Sequence, residues 1–280
     1  MTVRDQHSRP TRVIDPHALD GFEKDSFAAH GRRSDVYRIG SGPAVIVIHE
    51  VPGITPLVAS FARRVASEGM TAVLPSLFGT PGARSSTRYE LSEVARACVN
   101  AEFTKLALDT TSPVTTYLRA LAANELRECG GPGVGAVGMC LTGGFALAMS
   151  VDPIMLAPVL SQPSLPLPIG AKQRRALGIS DRDLAAVKAR VEDGLCVMGL
   201  RFTGDKKSPH ERFVRLREEL GDNFIGVEID SSASNPWGYP KGAHSVLTTH
   251  YSNDVDSPTR QALDGVLHFL ATRLGVREAR

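Results

Sequence analysis

"VGAVGMCLTGGFALAMS", residues 134–150, decides how this chain is read. Val134, Gly135, Ala136 and Val137 lead into Gly138-Met139-Cys140, and Leu141-Thr142-Gly143-Gly144 open a stretch with helical character. The pattern predicts a buried strand, a sharp turn at Cys140 and a helix from about 142 to 150. A turn of this kind lifts one side chain above the end of a sheet. The helix that follows offers free N–H groups and a partial positive charge. Small residues must flank the turn because strand and helix approach closely, and Gly138, Gly143 and Gly144 meet that need. A thiol suits the place: its thiolate is stabilised by a helix N-terminus and by a neighbouring imidazole.

Working outward, "AVIVIHE" (44–50) is an apolar run ending in two polar residues, the pattern of a strand buried on both faces. Thr55-Pro56 reads as a cap with Pro at the first helical position, followed by Leu57, Phe61 and Val65 at helical spacing up to Gly69. "TAVLP" (71–75) is a further strand, and 89–107 reads as helical. Thr111-Ser112-Pro113 starts a helix that stops at "CGGPG" near 130. "PIMLAPVL" (153–160), "LCVMGLRF" (195–202) and "FIGVEID" (224–230) are strands; 180–192, a segment capped by Ser208-Pro209, and 258–274 are helices. Residues 22–40 read as a hairpin, "SQPSLPLPIG" as a loop over the domain, and 231–243 as a long loop. Strands alternating with helices predict a mostly parallel sheet covered on both faces.

The composition is that of a water-soluble globular chain: 280 residues, 42% apolar and 22% charged. This length allows one large domain, expected over 19–280 behind a flexible arm, 1–18, with a core that needs no disulfide or structural metal. The net charge of +2 and the lack of a dense Lys/Arg run argue against nucleic acid or an anionic membrane as partner. The polar start lacks the apolar core of a signal peptide, and no run reaches bilayer-spanning length. Cys98, Cys129, Cys140 and Cys196 show no zinc-ligand or CxxC spacing, so reduced thiols in a cytoplasmic protein are expected, with no cofactor and no metal.

In parallel sheets the reactive crevice lies at the carboxyl ends of the strands. Glu50 follows the first parallel strand, Cys140 the central one, Asp205 in "TGDKKSP" the next, and His244 in "PKGAHSVL" the last. The chain order nucleophile, acid, base is that of the α/β-hydrolases.

With "HEVPG" (49–53), "GMCLTGG" (138–144), "RFTGD" (201–205) and "AHSVL" (243–247), the chain resembles the dienelactone hydrolase family over roughly residues 20–272. The resemblance implies an α/β-hydrolase fold and a Cys-His-Asp triad: Cys140 as nucleophile, His244 as base and Asp205 orienting it. It implies that Glu50 interacts with the resting thiol and helps activate it. Backbone N–H groups of Leu141 and Val51 form the implied oxyanion hole. The implied activity is hydrolysis of a small-molecule ester or lactone through an acyl-thioester. Thr142 departs from the family pattern, which has Gly two residues after the cysteine; the long 161–194 segment is a second departure. Arg96 and Arg201 are candidates for the family's substrate-carboxylate arginines.

Each assignment has a plainer rival. Cys98, Cys129 and Cys196 read as inert small hydrophobes. His250 competes with His244 as base, while His210 reads as a solvated cap and His49 as structural. Asp205 could be a simple turn residue, with Asp230 and Asp193 as weaker rivals for the acid, and Glu50 a mere cap. "GVGAVG" (133–138) matches GxGxxG, but its glycines lie within the strand rather than after it, which argues against dinucleotide binding. A non-catalytic small-molecule binding protein on the same fold is the competing reading.

Overall fold

The computed structural model describes residues 13–86, 89–90, 93, 112–165 and 170–277. The expected helical region 89–107, with Arg96 and Cys98, therefore lies almost entirely outside the described residues.

One eight-stranded sheet organises the chain. A hairpin, β1 (Glu23–Ala29) and β2 (Arg32–Gly40), precedes β3 (Ala44–Ile48), helix α1 (Pro56–Ser67) and β4 (Thr71–Pro75). Helix α2 (Pro113–Cys129) leads into β5 (Val134–Met139), a single 3₁₀ turn Cys140–Thr142, and α3 (Gly143–Met149). Then come β6 (Met155–Ser161), α4 (Ala171–Arg175), α5 (Asp181–Glu192), β7 (Val197–Phe202), α6 (His210–Leu220), β8 (Phe224–Ile229) and α7 (Pro258–Arg273). The strand order is β1-β2-β4-β3-β5-β6-β7-β8. Pairing is antiparallel from β1 through β2 to β4, and parallel from β4 across to β8. This is the α/β-hydrolase fold.

The expected elements on the described residues appear within a residue or two, and their caps explain why. The Thr55 side chain accepts from Val58 N at the start of α1, Ser112 from Val114 N at α2, Ser180 from Asp183 N at α5 and Ser257 from Arg260 N at α7. Ser208 does not do the same for α6: Pro209 is the capping residue, and the buried Ser208 hydroxyl has no hydrogen-bond partner among the described residues. The short α4 follows the expected loop 161–170, in a stretch to which the sequence pattern assigns no element.

The sheet is buried on both faces. α1 and α7 cover one side, packing on Val45, Val47, Val137 and Val159. α2, α3, α5 and α6 cover the other, packing on Ile46, Ile48, Ala136 and Leu160. The continuous apolar runs of β3 and β5 follow from this, since neither face of either strand meets water. The arm expected at 1–18 is tied down in its described part: Ile14 bridges Ala83, Asp15 N donates to Gly82 O and Ala18 is buried.

Candidate active site

The turn after β5 has the geometry its sequence predicts. Cys140 adopts φ 57°, a left-handed conformation that costs a β-carbon-bearing residue energy and is held only where the surroundings demand it. A Cβ on Gly138 would collide with the Thr142 carbonyl, and one on Gly143 would lie 2.6 Å from Pro163 Cα, so both glycines serve close approach. Thr142 has no such constraint. Its φ of −93° is right-handed, and its hydroxyl, fully buried, accepts from Met139 N at 2.9 Å. The departure from the family's glycine is therefore accommodated.

Cys140 is nearly buried at the floor of a cavity of about 730 Å³, which Glu50, Val51, Leu141, Ser164 and His244 also line. The thiol's hydrogen-bond partner is Ser164, with Sγ and Oγ 3.3 Å apart. Ser164 is itself fixed, because its N–H donates to the Cys140 carbonyl at 2.9 Å. Nothing in the sequence marks this serine, which follows β6 within the long 161–194 segment.

His244 and Asp205 come together from the loops after β8 and β7. The imidazole Nδ1 donates to Asp205 Oδ2 at 2.6 Å, and Asp205 Oδ1 accepts from Lys207 N at 2.9 Å. Burial alone would raise the Asp205 carboxyl, but the hydrogen bond and charge of His244 and the Lys207 and Ser208 amides outweigh it and hold it below its ordinary value. Burial alone would likewise lower His244. The negative charge of a Cys140 thiolate and the bond to Asp205 outweigh it and push the imidazole up to about 10. Nε2 is buried and makes no well-aligned hydrogen bond among the described residues, which leaves it free to serve the Cys140 sulfur that acts on it or an incoming group. Of the rivals, His250 lines the same cavity, but its Nδ1 takes a long 3.4 Å bond from His244 N, and burial lowers its pKa. Asp230 is exposed and bonded to Ser232, and Asp193 ends α5 in the open. His210 is exposed, bonding Glu228.

Glu50 is buried in the cavity wall, with both oxygens engaged. Oε2 accepts from Ser245 Oγ at 2.7 Å and Gln162 Nε2 at 3.1 Å, and Oε1 accepts from Thr248 Oγ1. The expected thiol partner is thus spoken for by neutral donors, and Ser164 occupies the place beside sulfur. His49 is structural, as its plainer reading has it: Nδ1 donates to Glu50 O at 3.1 Å and Nε2 accepts from Leu77 N at 3.0 Å. Burial drives its pKa down to about 4, which keeps the ring neutral.

Arg201 is not a substrate anchor. It is buried outside the cavity, paired across the sheet with Glu228, and donates to the Ser208 and Thr203 carbonyls. Those contacts fix the loop that carries Asp205. Among the described residues, the arginine and lysine side chains that line the cavity are Arg84, paired with Asp15 at 3.0 Å, and Lys207. Cys129 and Cys196 lie half-buried away from it. Among the described residues no group of three His, Cys, Asp or Glu side chains has the geometry to hold a metal ion, and no helix is long and apolar enough to cross a membrane.

Residues 31–166 match the model of the dienelactone hydrolase family. Among solved structures, a Klebsiella pneumoniae protein assigned as a dienelactone hydrolase is similar, with 19% identity over 89% of this chain and 98% of that one, at a TM-score of 0.60. A dienelactone hydrolase-like promiscuous phosphotriesterase from metagenomic libraries shares 17% identity over 89% of this chain and 98% of its own, at 0.55. Est1E from Butyrivibrio proteoclasticus shares 12% identity over 90% of this chain and 99% of its own, at 0.57. No curated protein matches the sequence at a significant level.

Proposed function

We propose that this chain, an α/β-hydrolase of dienelactone hydrolase type, is a cysteine-dependent hydrolase of a small-molecule ester or lactone. The observation that carries the reading is the His244 imidazole. It is bonded to Asp205 on one side, buried without a well-aligned hydrogen bond among the described residues on the other, and raised by the charge of Cys140.

The cycle follows from these positions. Cys140 gives its proton to His244 Nε2, and the thiolate attacks the carbonyl carbon of the bound ester. The negative charge that develops on the carbonyl oxygen is received by the N–H groups of Leu141 and Val51, both at the cavity wall. As the tetrahedral species collapses, His244 returns the proton to the leaving alcohol, and an acyl-thioester remains on Cys140. His244 then takes a proton from water, whose oxygen attacks the thioester carbonyl; a second collapse releases the acid and restores the thiol. Asp205 keeps the imidazole in the tautomer that presents Nε2 and stabilises its charged form. Glu50 anchors the His244 loop through Ser245. A reduced cytoplasmic compartment, which keeps such a thiol active, is part of the same reading.

Substoichiometric alkylation at neutral pH tests it. Iodoacetamide is expected to label Cys140 ahead of Cys98, Cys129 and Cys196 and to abolish esterase activity in step. Labelling of another cysteine first, with activity intact, overturns the assignment.

A further inference from the structure

An oxyanion hole built from two chain segments needs something to hold their spacing. Here one N–H belongs to Val51, just after β3, and the other to Leu141, just after β5. The two strands are neighbours in register, Ile48 opposite Gly138, but the ladder ends there and both N–H groups lie beyond it. Thr142 sits across that gap. Its hydroxyl oxygen lies 2.9 Å from Met139 N, 2.8 Å from Met139 O, 2.8 Å from Ile48 O and 3.3 Å from His49 O. One side chain therefore accepts from the strand end before Cys140 and shares its single hydrogen among the Met139, Ile48 and His49 carbonyls, which brings it into contact with the strand end before Glu50 as well. It is fully buried, so water does not compete for these bonds. On its other side the β3 end is held as well, because the Glu50 carbonyl accepts from His49 Nδ1 and from Gly53 N at 2.8 Å. The peptide group is planar and trans, so a carbonyl held in this way turns the Val51 N–H in the opposite direction.

We propose that Thr142 is a positioning residue that sets the distance between the two oxyanion-hole segments, doing with a hydroxyl clamp what a glycine at this place leaves to packing. The inference rests on the hydrolase reading above. A hydroxyl shared between two strand ends acts on the transition state, where the oxyanion needs both N–H groups at once. It does not act on the sulfur, whose partner is Ser164.

That separation supplies the test. Thr142→Val keeps the shape and removes the hydroxyl; Thr142→Ser keeps the hydroxyl; Thr142→Gly removes the side chain altogether. For hydrolysis of an activated aryl ester, Thr142→Val and Thr142→Gly are expected to lose about tenfold or more in kcat with KM little changed, a fraction of what removal of one oxyanion donor costs. Thr142→Ser should stay within about threefold of the parent, since it preserves the hydroxyl and its hydrogen bonds. Alkylation of Cys140 by iodoacetamide, which creates no oxyanion, should run at the parent rate in all three. Two glycine and valine variants as fast as an active parent overturn the inference alone, and so does a parallel fall in alkylation and hydrolysis, which marks general damage to the turn. A parent chain that turns over no ester overturns the hydrolase reading, and this inference with it. Thermal melting identifies any variant that fails to fold, and Thr142→Gly, which restores the family's own residue, then decides.

Discussion

Two carboxylates are buried at the carboxyl ends of one parallel sheet, and the protein holds them by opposite means. Asp205, after β7, faces an imidazole that can gain or lose a proton. Glu50, after β3, faces two hydroxyls and an amide that cannot. Both arrangements meet the cost of burying a charge, which is prohibitive without partners. They differ in what the charge can do. At Asp205 the negative charge is coupled to a proton and so to the chemistry of His244 and Cys140. At Glu50 the carboxylate meets neutral donors, Gln162 after β6 and Ser245 and Thr248 after β8, which make it a tie between distant strand ends. Equal burial therefore does not mean equal roles; the titration behaviour of the partner separates them.

Asp205→Asn should break the comparison most severely. The amide can no longer fix the His244 tautomer or support the imidazolium, and kcat for an activated ester should fall about 10³-fold or more with folding nearly intact. A fall of less than about tenfold would place Asp205 among the structural carboxylates. Protonation is the reversible version of the same change. Asp205, held below its ordinary 3.8, contributes stability above that value and loses it as pH falls through its depressed pKa. His244, raised from 6.5 to about 10, contributes below 6.5 and loses that contribution as pH rises through about 10. Melting temperature, followed across pH, should thus decline over the span from about 6.5 to about 10 and hold on the acid side until below about 3.8. A melting temperature unchanged between pH 7 and 10 contradicts the pairing.

Glu50→Gln should reverse the pattern. The substituted amide brings donor hydrogens to a place built from donors, so at least one buried hydrogen bond is lost. Chemical denaturation should show a cost of about 1–3 kcal/mol, while kcat falls far less than in Asp205→Asn. A kcat loss equal to that of Asp205→Asn would return Glu50 to a direct role beside the thiol. The smallest effect is expected at Ser164→Ala. It removes one weak bond to sulfur, and esterase kcat should change about two- to fivefold, the size of one ordinary hydrogen bond; a hundredfold loss would make Ser164 part of the reaction itself.

The same contrast explains what the sequence makes legible. That Asp205 and His244 meet beside Cys140 could be expected because Cys140 and Asp205 closely follow strands whose apolar runs are plain in the sequence, and His244 closes the loop after the last strand. The caps Thr55, Ser112 and Ser180 could be read because capping is local. The partners of Glu50 could not: Gln162, Ser245 and Thr248 lie 112, 195 and 198 residues away and are ordinary polar residues in loops. Ser164 escapes for the same reason. Arg201 misleads because an arginine beside a catalytic loop suggests substrate binding, whereas its register opposite Glu228 on β8 buries it as a pair. The only local hint was an arginine inside an otherwise apolar strand. Ser208 misleads because Ser-Pro resembles a cap, although here the proline takes the capping position.

The central claim is that acyl transfer runs through sulfur, and trapping the intermediate tests it most directly. The protein is mixed with an activated aryl ester, quenched in acid within the first turnovers, digested and mapped by mass spectrometry. An acyl group is expected on the peptide that contains Cys140, removed by neutral hydroxylamine as a thioester is, and absent from Cys140→Ala. Steady hydrolysis with the acyl group on another residue, or undiminished hydrolysis by Cys140→Ala, would contradict it.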